Sequence, residues 1–166
     1  MNFHQQMLSI ALEEAALAAS KGEVPVGAVI TIGDEVIARA HNLTETNKSP
    51  LAHAELLAIA QASSVLNEKR LTGCKLYVTL EPCLMCTGGI VLARIDQVFF
   101  GCRDPKAGAC RTLYEAADDI RLNHQSIIRE GIMEKECTQI LQNFFQELRD
   151  NKKLKRLDNQ LKNNLE

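Results

Sequence analysis

Apolar residues recur at Leu8, Leu12, Ala15 and Ala19, with Glu13 and Glu14 between them and Gly22 after them, a period that predicts an amphipathic helix over 3–21. The period then shortens. A β-branched run over 24–32, the turn dipeptide Gly33-Asp34 and a second apolar-alternating run over 35–40 read as a hairpin. A polar loop over 42–49 leads into an Ala- and Leu-rich segment over 52–67 that reads as a second helix. Next come a short β-like run over 75–80, a helix-like segment over 86–94 after Pro82, and a buried-strand pattern over 95–100 closed by Gly101. Strand, helix and strand in that order predict a parallel pair joined by a right-handed crossover. A loop over 102–111, a mixed region, a short strand over 126–129 and a last helix over 133–149 complete the pattern. From Asp150 onward the chain is polar, with five Lys or Arg against three Asp or Glu, and reads as a frayed helix or tail. The expected architecture is therefore an α/β layered unit over 1–149, its mixed sheet covered on both faces, and a basic polar tail over 150–166.

Composition narrows the picture. With 166 residues, 46% hydrophobic and only 4% aromatic, the chain suits one domain whose core is built on Ala, Leu, Ile and Val rather than on large rings. A net charge of −2 argues against a wholesale polyanion-binding surface, so any nucleic-acid contact is expected to be local. Glu13 and Glu14 interrupt the first apolar stretch, which is the wrong pattern for a secretory signal, and no run reaches the roughly 20 apolar residues of a membrane helix. Six cysteines in such a chain read as thiols or metal ligands before disulfides. A cytoplasmic protein is expected.

Candidate chemistry gathers in His53-Ala54-Glu55 and Pro82-Cys83-Leu84-Met85-Cys86, each at the opening of a predicted helix. Unpaired N–H groups and the positive end of the helix dipole favour the thiolate form of Cys83 and Cys86 there. Two thiolates and one imidazole make three ligands for one tetrahedral zinc ion per chain and leave the fourth position for water. Residues two apart on a helix diverge, so His53 and Glu55 share a site only beyond the helix end. Glu55 can then handle protons while His53 binds metal, which points to hydrolytic removal of an amino group from an amidine-like carbon. A redox CxxC is one alternative. Another is a structural zinc site closed by Cys74, Cys102, Cys110, His41 or His124.

H-x-E followed by P-C-x-x-C is the signature of the zinc nucleobase deaminases. Beyond it, Val24-Pro25-Val26-Gly27-Ala28-Val29, Asn42, Ala52-His53-Ala54-Glu55, the run from Tyr77 to Cys86, Phe100-Gly101, Arg103-Asp104, Asn123-His124 and Phe144-Phe145 resemble the bacterial tRNA adenosine deaminases. Enzymes of that family convert the wobble adenosine of a tRNA anticodon to inosine and release ammonia. The resemblance implies a three-layer α/β/α cytidine-deaminase-like fold with a central mixed five-stranded sheet, and a homodimer. It implies His53, Cys83 and Cys86 as zinc ligands and Glu55 as the proton shuttle. It further implies Asn42 as a partner of the flipped base or its ribose, Leu80, Glu81 and Pro82 as pocket wall, and anticodon stem-loop contacts from Asp104, Phe145 and Arg149. Departures from the family pattern fall at Ser49-Pro50-Leu51, Thr87-Gly88-Gly89, Cys102 and Arg111-Thr112, beside the expected pocket or RNA-facing loop. Arg111 reads equally as a phosphate contact or a solvated loop residue. Two rival functions share parts of this pattern: a free guanine or cytidine deaminase of nucleotide salvage, and a non-catalytic zinc-stabilised RNA-binding domain.

Overall fold

The structure, a computed structural model, describes residues 1–164; Leu165 and Glu166, the end of the expected tail, lie outside the described residues. Helix α1 (Phe3–Ser20) opens on a capping box in which the Asn2 side chain accepts the Gln5 N–H and the Gln5 side chain accepts the Asn2 N–H, both at 2.9 Å. Strands β1 (Gly27–Ile32) and β2 (Glu35–His41) form the expected hairpin, turned at Gly33 with φ of 57°. There follow α2 (Ala54–Leu66), β3 (Cys74–Leu80), α3 (Leu84–Ala93), β4 (Gln97–Cys102), β5 (Ile127–Arg129) and α4 (Glu134–Asn163). The five strands make one mixed sheet in the order β2-β1-β3-β4-β5, antiparallel at β2-β1-β3 and parallel at β3-β4-β5.

Alternation along the strands sends side chains to two separate cores. Ala28, Ile30, Leu76, Val78, Val98 and Phe100 meet Ala54, Ala58 and Ala62 of α2 and Ile90 and Ala93 of α3. Val29, Tyr77 and Phe99 meet Met7, Leu8 and Ala11 of α1 and Cys137 of α4. The result is the three-layer α/β/α arrangement. Small residues set its spacing: a Cβ on Gly27 would lie 1.9 Å from the Ala11 carbonyl oxygen, so α1 rests directly on the backbone of β1.

Most boundaries fall within two residues of the sequence expectation, and the differences that shape the site and the tail are these. Strand β1 starts at Gly27 rather than 24, because Pro25 has no N–H for a ladder and the Val26 N–H closes a tight turn onto the Val24 carbonyl at 2.8 Å. Strand β4 continues to Cys102, paired with Leu80 of β3. Helix α4 runs through the segment beyond Asp150, reaching Asn163 with every side chain from Phe145 onward exposed. At 1.5 Å per residue its 30 residues span about 45 Å, so much of the helix projects past the sheet.

The connections leaving the C-terminal ends of β3 and β4 and the start of β1 meet at one edge of the sheet. That edge lies where an antiparallel neighbour of β3 gives way to a parallel one, the kind of crevice in which open α/β sheets bind ligands.

Candidate active site

Two helix N-termini converge on this crevice. His53 is the N-cap of α2 and Cys83 the N-cap of α3, both in extended backbone, and neither side chain makes a capping hydrogen bond. Their donor atoms are therefore available. Glu55 and Cys86 lie in the first turns of the same helices, both buried. The splaying expected at a helix end is what lets His53 and Glu55, two residues apart, line one cavity.

The Nδ1 atom of His53 is 3.6 Å from the Cys83 Sγ and 3.5 Å from the Cys86 Sγ, and all three donor atoms lie within 4.8 Å of one another. Ligands at about 2.1 Å (N) and 2.3 Å (S) from a tetrahedral zinc ion would stand about 3.6 Å apart, so the cluster fits that ion in spacing as well as chemistry. Among the described residues this is the one such group of His, Cys, Asp and Glu. The conceivable fourth ligands are engaged elsewhere. His41 pairs with Glu14, His124 contacts the Ile95 carbonyl, Cys110 the Thr87 hydroxyl and Cys102 the Thr79 carbonyl, while Cys74 is buried in the core beneath α2 and α3.

Hydrogen bonding within the cluster separates its thiols. The Cys86 thiol, and then His53, hold Cys83 as a thiolate down to about 4, while the same bond and burial push Cys86 upward. Contact with the Cys83 thiolate raises His53. Glu55 is raised to about 7, above all by burial, which outweighs the donors that favour its charged form, its own backbone N–H and the Cys86 thiol, with His53 nearby. A carboxyl poised near neutrality can take a proton and give it back.

The cavity measures about 250 Å³, below the roughly 300–1,000 Å³ of pockets for drug-sized ligands, and suits one base better than a peptide. One wall consists of Val24, Val26, Asn42 and Thr44, the other of Leu80, Glu81, Asp104 and Ala107. Asn42 is nearly buried; its Nδ2 donates to the Val24 carbonyl and its Oδ1 accepts the Thr44 N–H, each at 3.2 Å. Glu81 faces its own wall: its carboxylate accepts the N–H groups of Asp104, Cys110, Arg111 and Thr112 at 2.7–3.2 Å and the Thr112 hydroxyl. Burial pushes this carboxyl up, but those hydrogen bonds outweigh it and leave Glu81 below the usual carboxylate range. Gly108 has no room for a side chain, since a Cβ there would sit 2.3 Å from the Glu81 carboxylate.

Other expected site residues stand further out. Pro82 backs the wall, where its carbonyl accepts the Ala109 N–H at 2.9 Å. Phe145 and Arg149 line a neighbouring groove with Cys102, Arg103 and Lys106, beside the cavity rather than in it. Arg111 is half-buried and already engaged, because its guanidinium forms a two-pronged pair with Asp118 at 3.0 and 3.2 Å. Sequence reasoning passed over Glu23, a fully buried carboxylate behind the Asn42 wall. Its only signal was a lone acidic residue opening a β-branched run, which most often marks a solvated strand end.

Residues 2–149 match the model of the MafB19-like deaminase family. The chain is 51% identical over 146 residues to the tRNA-specific adenosine deaminase of Bacillus subtilis (strain 168), covering 88% of this chain and 91% of that one. It is 46% identical over 147 residues to the tRNA-specific adenosine deaminase of Aquifex aeolicus (strain VF5), covering 89% and 97%. Among solved structures it resembles one from studies of A-to-I editing by tRNA:A34 deaminases at the wobble position of transfer RNA. The TM-score is 0.79 and the identity 39%, over 82% of this chain and 99% of that chain.

Proposed function

The chain belongs to the MafB19-like deaminase family, and from that membership and its close likeness to tRNA-specific adenosine deaminases we propose that it hydrolyses the wobble adenosine of a tRNA anticodon to inosine and ammonia. The observation that carries the chemistry is a buried carboxyl, Glu55, beside a converged His53, Cys83 and Cys86 cluster to which it contributes no ligand. His53 through Nδ1 and the two cysteines through Sγ are assigned as holders of one zinc ion. When bound, that ion supplies Lewis acidity and lowers the pKa of a water toward 7.

The chain's own residues do the rest. Glu55 takes one proton from the attacking water and delivers it to a ring nitrogen, then carries the second, from the hydroxyl formed at C6, to the amine, so that the C6–N bond breaks, ammonia leaves and C6 keeps the oxygen. Of the four hydrogen-bonding positions on the Asn42 amide two are used within the wall, so one N–H and one lone pair remain for the base or ribose. Val24, Val26 and Leu80 supply apolar surface against which a flipped base can lie. A base inside a duplex cannot enter such a cavity, whereas one in a loop is extruded at little cost. Asp104, Phe145 and Arg149 are assigned to the surrounding anticodon loop. Residues 1–149 constitute the catalytic unit on this reading, and the helical segment after it an extension.

A homodimer and a cytoplasmic location belong to the same proposal. Leu84 and Leu92 of α3 and Leu51 before α2 are large apolar side chains left 54%, 81% and 60% exposed, a surface that a second copy would cover. No described helix is long and apolar enough to cross a membrane, and all six cysteines are unpaired, as suits a reducing compartment.

The test is inosine and ammonia production from an adenosine-containing anticodon hairpin, the same sequence fully paired, and free adenosine, cytidine and guanine. The hairpin is expected to be deaminated far faster than the others. Equal or faster turnover of a free base or nucleoside would move the protein to the salvage deaminases.

A further inference from the structure

Glu23 lies just ahead of Val24 and Val26 in the Asn42 wall, 1% exposed, and no Lys, Arg or His forms an ion pair with it among the described residues. Its charge is met entirely by the loop that follows Asn42. One carboxylate oxygen accepts the Thr46 N–H at 2.6 Å and the Thr46 hydroxyl at 2.9 Å; the other accepts the Glu45 N–H at 3.1 Å and the Thr44 hydroxyl at 3.4 Å. A buried carboxylate without a cation is costly, and it persists only where such donors are held in place.

The loop so gripped is the one that orients Asn42. The Thr44 N–H fixes the Asn42 Oδ1, the Val24 carbonyl fixes its Nδ2, and the Asn42 N–H bonds the Val26 carbonyl at 3.0 Å. Segments 23–26 and 42–46 are thus stitched together from both sides, and their inner faces form one wall of the cavity. We propose that Glu23 is a positioning residue for the deamination substrate, acting through the Thr44–Thr46 turn to hold the Asn42 amide in the orientation that receives the base or ribose. This rests on the reading of Asn42 as a substrate contact.

Glu23→Gln is the informative change, because each oxygen of the carboxylate serves a backbone N–H that cannot reverse its polarity. A carboxamide of the same shape satisfies one of those N–H groups and turns its own NH₂ toward the other, whichever way it flips. Steady-state kinetics on the anticodon hairpin would compare wild type, Glu23→Gln, Asn42→Ala and the double variant, with zinc content and thermal melting recorded for each. Glu23→Gln is expected to keep zinc and lose about tenfold in kcat/KM, the scale of one weakened charge-assisted hydrogen bond. In the Asn42→Ala background the same change is expected to cost almost nothing further, since residues acting through one another are not additive.

A general loss of stability would lower the melting temperature without that non-additivity. Should Glu23→Gln be unfolded at the assay temperature, Thr46→Val, which removes one hydroxyl and keeps the N–H, runs the same cycle with an expected loss of about threefold. Wild-type kcat/KM in these variants, or penalties that multiply with Asn42→Ala, would overturn the inference. A wild-type enzyme unable to deaminate the hairpin would instead strike the functional reading on which it rests.

Discussion

The floor of the cavity and its walls each carry buried glutamates, and they behave in opposite ways. Glu55 in the floor and Glu81 in the wall are 4% and 1% exposed, yet Glu55 is raised to about 7 and Glu81 lies below the usual carboxylate range. Burial acts in the same direction on both. The difference lies in the donors: Glu81 receives four backbone N–H groups and a hydroxyl, whereas Glu55 receives its own N–H and a thiol. Glu23 follows Glu81, lowered by the N–H and hydroxyl groups of Thr44, Glu45 and Thr46 against the opposing effect of burial. A buried carboxyl thus becomes a proton carrier where donors are withheld, and a clamp where they are supplied.

The largest effect should come from the floor itself. Cys83→Ala and Cys86→Ala each remove one of the three groups assigned to the metal, and turnover is expected to fall to background with loss of stoichiometric metal, checked by elemental analysis of protein purified without chelators. Because the site joins α2 to α3, the melting temperature should fall as well. A stably metallated, active Cys86→Ala protein would dissolve the distinction between floor and wall.

Glu55→Gln separates chemistry from architecture. Turnover is expected to drop by at least about 10² to 10⁴-fold, the usual contribution of general acid–base catalysis, while metal content stays at wild type. Removing a buried charge that has few partners costs little, so stability should stay within about 1 kcal/mol of wild type or rise. Loss of metal in this variant would make Glu55 a ligand, and an undiminished rate would remove it from proton transfer.

That division also marks what the sequence disclosed. His53, Glu55, Cys83 and Cys86 are legible because their spacing is local: each pair sits within one helix turn, and metal chemistry restricts the residue types. A mixed sheet covered on both faces follows from element order, and the continuous apolar runs of β1 and β4 agree with burial on both sides; the three named layers come from the resemblance. The walls are another matter. Glu81 meets residues 23 to 31 positions away, and Glu23 meets its turn 21 to 23 positions away, across loops that carry no periodicity. Glu81 was placed in the wall by resemblance alone, and its carboxylate turns out to bind the chain. For residues 150–163 polarity left a frayed helix and a tail as equal readings; the structure has the helix, in which Leu154, Leu157 and Leu161 keep a helical spacing.

A smaller effect of opposite character is expected from Glu81→Gln. The amide cannot accept from every N–H that the carboxylate serves, so about 2–4 kcal/mol of stability should be lost at neutral pH while metal content is retained. The pH dependence has a definite sign. Glu81 is lowered in the folded state, so its stabilising charge is fully present above the unfolded carboxylate pKa near 4.5 and is lost as pH falls through the lower folded value. The gap between wild type and Glu81→Gln, read from urea melts, should therefore be widest at pH 7 and close under acid conditions. A gap that widened on acidification would contradict the clamp.

The smallest expected effect tests whether the outer wall also spends its charges inward. Arg111 stands in the loop that Glu81 grips, and the sequence left its guanidinium equally open to a phosphate contact. Its prongs instead meet Asp118 at 3.0 and 3.2 Å, with a further bond to the Cys110 carbonyl at 2.7 Å. The pair is only partly buried, its side chains 23% and 35% exposed, so solvent screens it and its worth is about 1 kcal/mol or less. Arg111→Ala should therefore lower stability slightly and leave hairpin affinity, and its dependence on salt, unchanged. A phosphate contact would show itself as weaker binding with a salt slope smaller by about 0.7–0.9, the release of one counterion. That outcome would mean the Asp118 pair opens when RNA arrives, and the outer wall would then be a binding surface as well as a clamp.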